Sequence, residues 1–356
     1  MAETPGRGDP VPGWGAADPS GWDEAQLEEA VRFARVSHST DLVVVHRGQV
    51  VVDEAWEPDD AAKAVVAERL DGPRVRQDIA SAQKSVTAVL VGIAVDHGLV
   101  QIDERVSDRL GDGWTGRNPP EVERAITVEH LLSMTSGLGD DMAFVAPAGE
   151  RWDYNLGAAY HSLKRVIAAS AGESIEDLTE RWLTSPLGMT ETSWEPRVWD
   201  ERVPERFRSS FQYPDGEPIE GLVTTARDLA RFGEAVLRGC HSATGALGVD
   251  ESFRAAMVRP SQELNPGYGW LWWLNGQPWF LPPKATTPVD GSFLPGAPDD
   301  AFAAMGANDR MCVVVPSLEL VITRCGASAG ERSAAGSQFA RDLVSQLIGA
   351  APGADK

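Results

Sequence analysis

Hydrophobic residues recur along this chain at helical and at strand spacing, and their order predicts a sheet assembled from both ends. Residues 22–36 place apolar side chains at helical spacing, and residues 41–56 carry two valine-rich runs around a turn at Arg47-Gly48, as in a β-hairpin. An aromatic strand is predicted at 268–274. Two strands joined by a turn and a closing amphipathic helix are then predicted at 311–315, 318–324 and 333–348.

The middle of the chain has a different character. A helical pattern runs from Ser81 to His97 and stops at Gly98, and helical patterns separated by Pro- and Gly-rich loops follow. This order predicts an α/β (α+β) fold, in which an antiparallel sheet is flanked by the N- and C-terminal helices and carries an inserted all-helical subdomain. The predicted boundaries are a flexible arm at 1–20, a sheet domain at 21–100 and 262–350, and a helical subdomain at 101–261.

Composition narrows the class of function. The chain of 356 residues has 42% hydrophobic and 24% charged residues, typical of a globular protein, and a net charge of −21. Because such a surface repels phosphate backbones and anionic lipid, we expect no nucleic-acid and no membrane partner. The three cysteines, Cys240, Cys312 and Cys325, favour reduced thiols, and the N-terminus has no secretory pattern. We therefore expect a cytoplasmic protein.

Candidate chemistry begins at Ser81-Ala82-Gln83-Lys84, at the start of the long helical pattern. A spacing of three places the Ser81 hydroxyl and the Lys84 amine on one helical face, about one turn apart. A serine hydroxyl needs an adjacent base to become a nucleophile, and a lysine serves only where its pKa is lowered from about 10.4. A helix N-terminus adds backbone N–H groups that stabilise an oxyanion. This spacing alone is a weak signal.

Other segments of the chain make this motif more specific. Seven segments carry the comparison: DIASAQKSVTAVLVGIAVDHGLV (78–100), ITVEHLLSMTSGL (126–138), GERWDYN (149–155), SPLGMTETSW (185–194), GLVTTARDLARFGEAVL (221–237), YGWLWWL (268–274) and VVVPSLELVITR (313–324). With these segments in this order, the chain resembles the penicillin-recognising family of serine β-lactamase-like enzymes. That family includes class C β-lactamases, D-alanyl-D-alanine peptidases, family VIII carboxylesterases and aminohexanoate-oligomer hydrolases.

The resemblance implies an acyl-enzyme mechanism with Ser81 as nucleophile and Lys84 and Tyr154 as its activating bases. Which of the two bases takes the serine proton is left open, since their titrations are coupled. Tyr154 matches the tyrosine of the family's Y-x-N motif. The chain departs from that motif because Leu156 stands where the asparagine is expected and Asn155 comes one residue early.

The third family motif, K-T-G or H-x-G, is altered here to Met305-Gly306-Ala307-Asn308-Asp309-Arg310. It most resembles a G-A-G-G-Q variant of aminohexanoate-hydrolase-like members. On that alignment Gly306 allows close backbone approach, and the N–H groups of Ser81 and Ala307 form the oxyanion hole; a shift of one to three residues would move that role toward Arg310. No lysine or histidine supplies a carboxylate-binding cation in the motif, which argues for an esterase or amidase.

Six residues are predicted to contact substrate. They are Trp152, Asn155, Gly306, Asn308, Trp270 and Trp272. The last two share a face of the predicted strand 268–274, with Trp273 on the other face.

The leading prediction is a serine hydrolase of a small-molecule carboxylic ester or small amide. Alternatives are an amide-forming acyltransferase with an amine acceptor, a β-lactamase or D-alanyl peptidase, and a catalytically silent binding scaffold. Ser328 lies in a G-x-S-x-G sequence, but no histidine follows it, as an α/β-hydrolase requires. The six histidines show no metal-ligand spacing, so we expect no metal and no cofactor.

Overall fold

The computed structural model describes residues 20–198, 209–242, 245–330 and 336–353. The predicted N-terminal arm lies outside these residues apart from Ser20.

The helices are α1 (Glu24–Val36), α2 (Gln83–Asp96), α3 (Val106–Leu110), α4 (Pro120–Glu123), α5 (Val128–Leu132), α6 (Ala158–Ala171), α7 (Ile175–Thr179), α8 (Ser185–Leu187), α9 (Ala226–Leu237), α10 (Glu251–Met257) and α11 (Gln338–Ala350). The strands are β1 (Ser39–His46), β2 (Gln49–Ala55), β3 (Glu68–Arg69), β4 (Val75–Asp78), β5 (Ser193–Pro196), β6 (Glu220–Thr224), β7 (His241–Ser242), β8 (Gly245–Ala246), β9 (Trp273–Leu274), β10 (Trp279–Phe280), β11 (Val289–Asp290), β12 (Phe302–Gly306), β13 (Arg310–Val315) and β14 (Leu320–Gly326).

The main sheet joins both ends of the chain. Its order is β2-β1-β14-β13-β12-β9, and each neighbouring pair is antiparallel. Every residue of β1, β13 and β14 is buried, because helices cover both faces of the sheet centre. The helices α1 and α11 pack together on one face, where Phe33 meets Phe339. The predicted α/β fold, with its antiparallel sheet flanked by terminal helices, is confirmed.

Helix α9 covers the opposite face of the sheet. The Thr323 hydroxyl donates to the Ala226 carbonyl at 2.9 Å, and Gly233 gives room to the Cys312 sulfur, since a Cβ there would collide with it. The predicted boundaries assign this helix to the inserted subdomain at 101–261. In the structure it packs against β1, β13 and β14 instead, because its apolar face matches that of the sheet.

A smaller sheet contains β4, the strand that precedes Ser81 in the chain. Its order is β3-β4-β6-β5, with all pairs antiparallel. Strand β4 leads directly into a 3₁₀ turn at Ala80–Ala82, and α2 follows. The predicted helix from Ser81 to His97 is therefore α2, with Ser81 in the turn that precedes it.

The prediction for the cysteines can also be compared with the structure. Cys240, Cys312 and Cys325 are buried free thiols, as predicted. Among the described residues, no helix combines the length and the apolar character that crossing a bilayer requires.

Candidate active site

Ser81 is held at the junction of the small sheet and α2. The Ile79 amide donates to the Leu222 carbonyl at 3.0 Å, and the Ala80 amide donates to Asp78 Oδ1 at 2.7 Å. Ala80 adopts a left-handed φ of 51°. This turn leaves Ser81 at the N-terminal end of a buried helix, where free N–H groups favour negative charge.

Lys84 lies one turn along the same helix, and its Nζ is 3.2 Å from Ser81 Oγ. The side chain is 2% exposed. Burial, and secondarily the positive charge of Arg197, holds the pKa of Lys84 well below its usual range. The uncharged amine, which can accept a proton, is thereby favoured.

Tyr154 completes the group. Its phenol interacts with the Ser81 hydroxyl and with the Trp273 indole N–H, and both interactions lower the pKa of the phenol, but by less than burial raises it. Lys84 Nζ lies 4.7 Å from the centroid of the Tyr154 ring. Burial raises the pKa of Tyr154 to about 12, so the phenol keeps its proton near neutral pH. The three residues assigned from the family resemblance thus lie together.

Two contacts at this site were missed by sequence reasoning. Tyr160, in the first turn of α6, places its ring centroid 3.7 Å from Lys84 Nζ and accepts a hydrogen bond from Gln83 Nε2 at 3.2 Å. Trp273 packs on Tyr154 with ring centroids 5.6 Å apart. No motif marks Tyr160. The sequence placed Trp273 only on the face of the predicted strand opposite Trp270 and Trp272.

Trp152 and Asn155, predicted to contact substrate, pack behind Tyr154 instead. Trp152 is buried among aromatic rings, with centroid distances of 6.1 Å to Tyr154 and 5.5 Å to Tyr268. Asn155 Nδ2 donates to the Gly139 carbonyl at 2.9 Å, so its amide holds a neighbouring loop. Their placement supports the position of Tyr154 and corrects the prediction of direct contact.

The altered third motif approaches Ser81 closely. A Cβ at Gly306 would overlap the Ile79 carbonyl oxygen and lie 3.2 Å from the Ala82 nitrogen. This explains why the position requires glycine. Asn308 has a left-handed φ of 64° in the turn at Ala307–Asp309, and its carbonyl accepts a hydrogen bond from Arg324. Substrate contact by Gly306 or Asn308, and the oxyanion role of the Ala307 N–H, stay predictions.

Trp270 and Trp272, also predicted to contact substrate, lie in the core. Trp272 stacks on Phe232 with centroids 6.0 Å apart, and Trp270 packs on Phe253 at 5.0 Å. The strand prediction for 268–274 was wrong in extent, because Leu271 has a left-handed φ of 60° and the strand begins only at Trp273. The alternation that placed both tryptophans on a substrate face therefore does not apply.

A cavity of about 680 Å³ opens beside Ser81. It lies between the small sheet, the start of α2 and the start of α6. Its lining includes the reactive and charged residues Asp78, Ser81, Lys84, Tyr160, Glu195, Arg197 and Arg310. Although the third motif lacks a lysine or histidine, as the sequence shows, two arginines face the cavity. The lack of a lysine or histidine in the motif therefore does not leave the cavity without positively charged residues.

Several known proteins resemble this chain in sequence or in fold. A curated relative, an uncharacterized protein of Alkalihalophilus pseudofirmus, is 24% identical over 303 residues, which cover 81% of this chain and 84% of the relative. A penicillin-binding protein homolog from Caulobacter crescentus has a similar structure, with a TM-score of 0.65 and 17% identity, covering 93% of this chain and 99% of that one.

Two enzymes share the fold as well. Simvastatin synthase from Aspergillus terreus has a TM-score of 0.60 at 15% identity, covering 94% of this chain and 98% of that one. EstCE1, described as a hydrolase with promiscuous acyltransferase activity, has a TM-score of 0.58 at 17% identity, covering 90% and 97%. The Beta-lactamase family model matches residues 25–308, most of the chain. The protein therefore belongs to the beta-lactamase family of serine hydrolases and acyltransferases.

Proposed function

We propose that this protein hydrolyses a carboxylic ester or small amide through an acyl-Ser81 intermediate. The observation that supports this most directly is the 3.2 Å approach of Lys84 Nζ to Ser81 Oγ inside a buried setting. Burial removes the water that would otherwise keep the lysine charged. A neutral amine beside a serine hydroxyl is a base in contact with its nucleophile.

Acylation begins with a proton transfer. Lys84 takes the Ser81 hydroxyl proton as Ser81 Oγ bonds to the substrate carbonyl carbon, and the carbonyl oxygen becomes an oxyanion. The N–H groups of Ser81 and Ala307 stabilise that charge. As the tetrahedral intermediate collapses, the bond to the alcohol or amine breaks and the leaving group takes a proton from the Tyr154 phenol, which Lys84 then reprotonates. The products are acyl-Ser81 and a neutral alcohol or amine.

Deacylation reverses these roles. Water attacks the acyl carbonyl and gives up a proton to Lys84, and Ser81 Oγ leaves as the hydroxyl with the proton returned by Tyr154 or Lys84. The carboxylic acid is released. Tyr154 acts as a proton donor in this scheme because burial raises its pKa to about 12.

Acyl transfer to an amine is the second candidate. It uses the same acyl-enzyme, with an amine in place of water. The cavity of about 680 Å³ is large enough for an acyl group and a small acceptor together. EstCE1, which shares the fold, is described as having promiscuous acyltransferase activity. Incubation with an ester and candidate amines, followed by mass spectrometry for the amide, separates transfer from hydrolysis.

The test of the proposed function is labelling by a fluorophosphonate probe together with turnover of 4-nitrophenyl acetate. The wild type is expected to show both, and Ser81→Ala to abolish both. Ser328→Ala is the matched control, since Ser328 lies in the G-x-S-x-G sequence and its hydroxyl bonds the Gly330 carbonyl. Persistent labelling of the Ser81→Ala protein, or none of the wild type, would contradict the proposal.

A further inference from the structure

We propose that Lys284 is a positioning residue of the active site, because its ammonium joins two carboxylates, Asp140 and Asp153, that hold the chain before and after Tyr154. This inference rests on the proposed function, since Tyr154 is the proton donor of that scheme. It gives a role in the reaction to a lysine that lies 131 positions after Asp153 in the sequence.

Lys284 bridges the two carboxylates directly. Its Nζ lies 2.8 Å from Asp140 Oδ1 and 2.8 Å from Asp153 Oδ1. Asp153 immediately precedes Tyr154 in the chain. Asp140 Oδ1 also accepts a hydrogen bond from the Leu156 amide at 2.7 Å, two residues beyond the tyrosine. One ammonium is therefore linked to the backbone on both sides of Tyr154.

The loop that carries Asp140 packs closely on the segment after Tyr154. Asn155 Nδ2 donates to the Gly139 carbonyl at 2.9 Å. A Cβ at Gly157 would lie 2.1 Å from the Asp140 carbonyl oxygen, so the two backbones approach as closely as glycine allows. Because there is no slack between them, a shift of Asp140 is transmitted to the segment that carries Tyr154.

Lys284 reaches the carboxylates from a loop that is itself anchored. Asn265 is fully buried, its Nδ2 donates to the Leu281 carbonyl at 3.0 Å, and its Oδ1 accepts from the Leu281 amide at 3.0 Å. The Ala285 amide donates to the Pro282 carbonyl at 3.1 Å and closes a turn. Within this turn Lys284 has a left-handed φ of 61°, which is uncommon and costly for a lysine. The two ion pairs offset that cost.

Lys284 and Asp140 also act on Lys84 through their charges. Burial is the main cause of the low pKa of Lys84; of the charged groups, Arg197 and Lys284 lower this pKa and Asp140 raises it. Removing Lys284 should therefore raise the pKa of Lys84, and removing the charge of Asp140 should lower it. The other groups close to the amine are Ser81, Tyr154, Tyr160 and the neutral, buried His161.

The first test compares two acetates that give the same acetyl-enzyme. Benzyl acetate releases an alcohol that needs a proton, whereas 4-nitrophenyl acetate does not. Lys284→Met is expected to lower kcat/KM for benzyl acetate at least about threefold more than for 4-nitrophenyl acetate, because a displaced phenol is a poorer proton donor. Lys284→Arg keeps the charge and should recover part of this loss. Lys63→Met, at an exposed lysine paired with Asp60, is the matched control.

The second test is the acidic limb of kcat/KM for 4-nitrophenyl acetate, which follows the pKa of Lys84. Lys284→Met should move the limb to higher pH and Asp140→Asn to lower pH, by roughly 0.2–0.7 pH units each, as expected for partly exposed charges. Asn at position 140 still accepts from the Leu156 amide. The double variant should return the limb close to that of the wild type, and high salt should reduce both single shifts.

The outcomes separate the two proposals. Equal losses on the two acetates in Lys284→Met, or a limb that both single variants move in the same direction, would overturn the role of Lys284. Labelling of Ser81 by the fluorophosphonate would then leave the proposed function intact. Absence of labelling in the wild type would remove the proposed function first. Thermal melting checks that each variant folds, and if Lys284→Met does not, an unmoved limb in Asp140→Asn overturns the inference.

Discussion

Lys84 Nζ lies 3.7 Å from the centroid of the Tyr160 ring, closer than to the ring of its expected partner Tyr154 at 4.7 Å. An ammonium over an aromatic face is stabilised by the ring's quadrupole. Tyr160 therefore opposes the burial that lowers the pKa of Lys84. Arg197 and Lys284 lower that pKa as well, whereas Asp140 raises it. Tyr160 is therefore a positioning residue for Lys84, and its effect on the pKa of Lys84 is measured by the pH dependence of kcat/KM.

We expect Tyr160→Leu to move the acidic limb of kcat/KM to lower pH. Lys84 acts as a base only when uncharged, so the limb follows its pKa in the free enzyme. Removing the ring destabilises the ammonium and lowers that pKa further. A cation–π interaction of about 0.5–2 kcal/mol corresponds to a shift of roughly 0.4–1.5 pH units. Tyr160→Phe keeps the ring and is the control. A limb that shifts upward, or equally in both variants, would contradict this role.

Replacing the base should remove most of the activity. We expect Lys84→Met to lower kcat/KM for 4-nitrophenyl acetate by about 10²–10⁴-fold, the usual contribution of general base catalysis. Lys63→Met, at an exposed lysine paired with Asp60, should have no comparable effect. Near-normal activity in Lys84→Met would show that another group takes the serine proton.

Tyr154 should matter most for substrates whose leaving group needs a proton. 4-Nitrophenolate is stable enough to leave without a proton, whereas an alcohol or an amine must be protonated as it leaves. Tyr154→Phe is therefore expected to slow hydrolysis of alkyl esters and amides at least tenfold more than hydrolysis of 4-nitrophenyl esters. Trp273→Phe removes an indole N–H that lowers the pKa of Tyr154 and should cause a weaker defect with the same dependence on leaving group. Equal losses on all substrates would indicate a structural role instead.

The fold was predictable because its signals are local or repeated. The valine runs of β1 and β2 and the apolar strands near the C-terminus show strand character without reference to the rest of the chain. Ser81 and Lys84 were predictable because their spacing fixes them on one helical face. Tyr154 needed the resemblance to a family.

Other parts of the site depend on contacts far apart in sequence. Arg310 lines the cavity, and its Nε donates to Gln77, which lies 233 positions earlier in the chain. Trp272 lies in the core and not on a substrate face, because one left-handed residue, Leu271, breaks the alternation of the strand. Tyr160 reaches Lys84 because α6 packs on α2, which no periodicity specifies.

Gly306 offers a test of the close approach between the third motif and the nucleophile turn. Gly306→Ala is expected to displace the turn at Ala80–Ala82, because the new Cβ overlaps the Ile79 carbonyl oxygen. Overpacking of this kind costs about 1–3 kcal/mol in unfolding free energy. The displacement of Ser81 should also lower kcat, by a larger factor than the loss of folded protein accounts for. Gly330→Ala is the matched control, since nothing lies within 4 Å of its Cβ position. Thermal melting and 4-nitrophenyl acetate turnover measure both effects, and a fully active Gly306→Ala protein would contradict the contact.

The buried carboxyl group of Asp41 is expected to make the stability of the fold depend on pH, independently of catalysis. Burial, partly opposed by Arg74, raises the pKa of this carboxyl from 3.8 to about 6. A raised pKa means that the folded protein binds the proton more tightly than the unfolded chain does. The contribution of this proton to the free energy of unfolding is therefore fully present below pH 4 and is lost as the pH rises through 6. Asp41→Asn removes this loss and should raise the unfolding free energy at pH 7 by up to about 3 kcal/mol, with no gain at pH 4. Asp60→Asn, at a fully solvated carboxylate, is the control. A gain of equal size at both pH values would assign the effect to packing rather than to the buried charge.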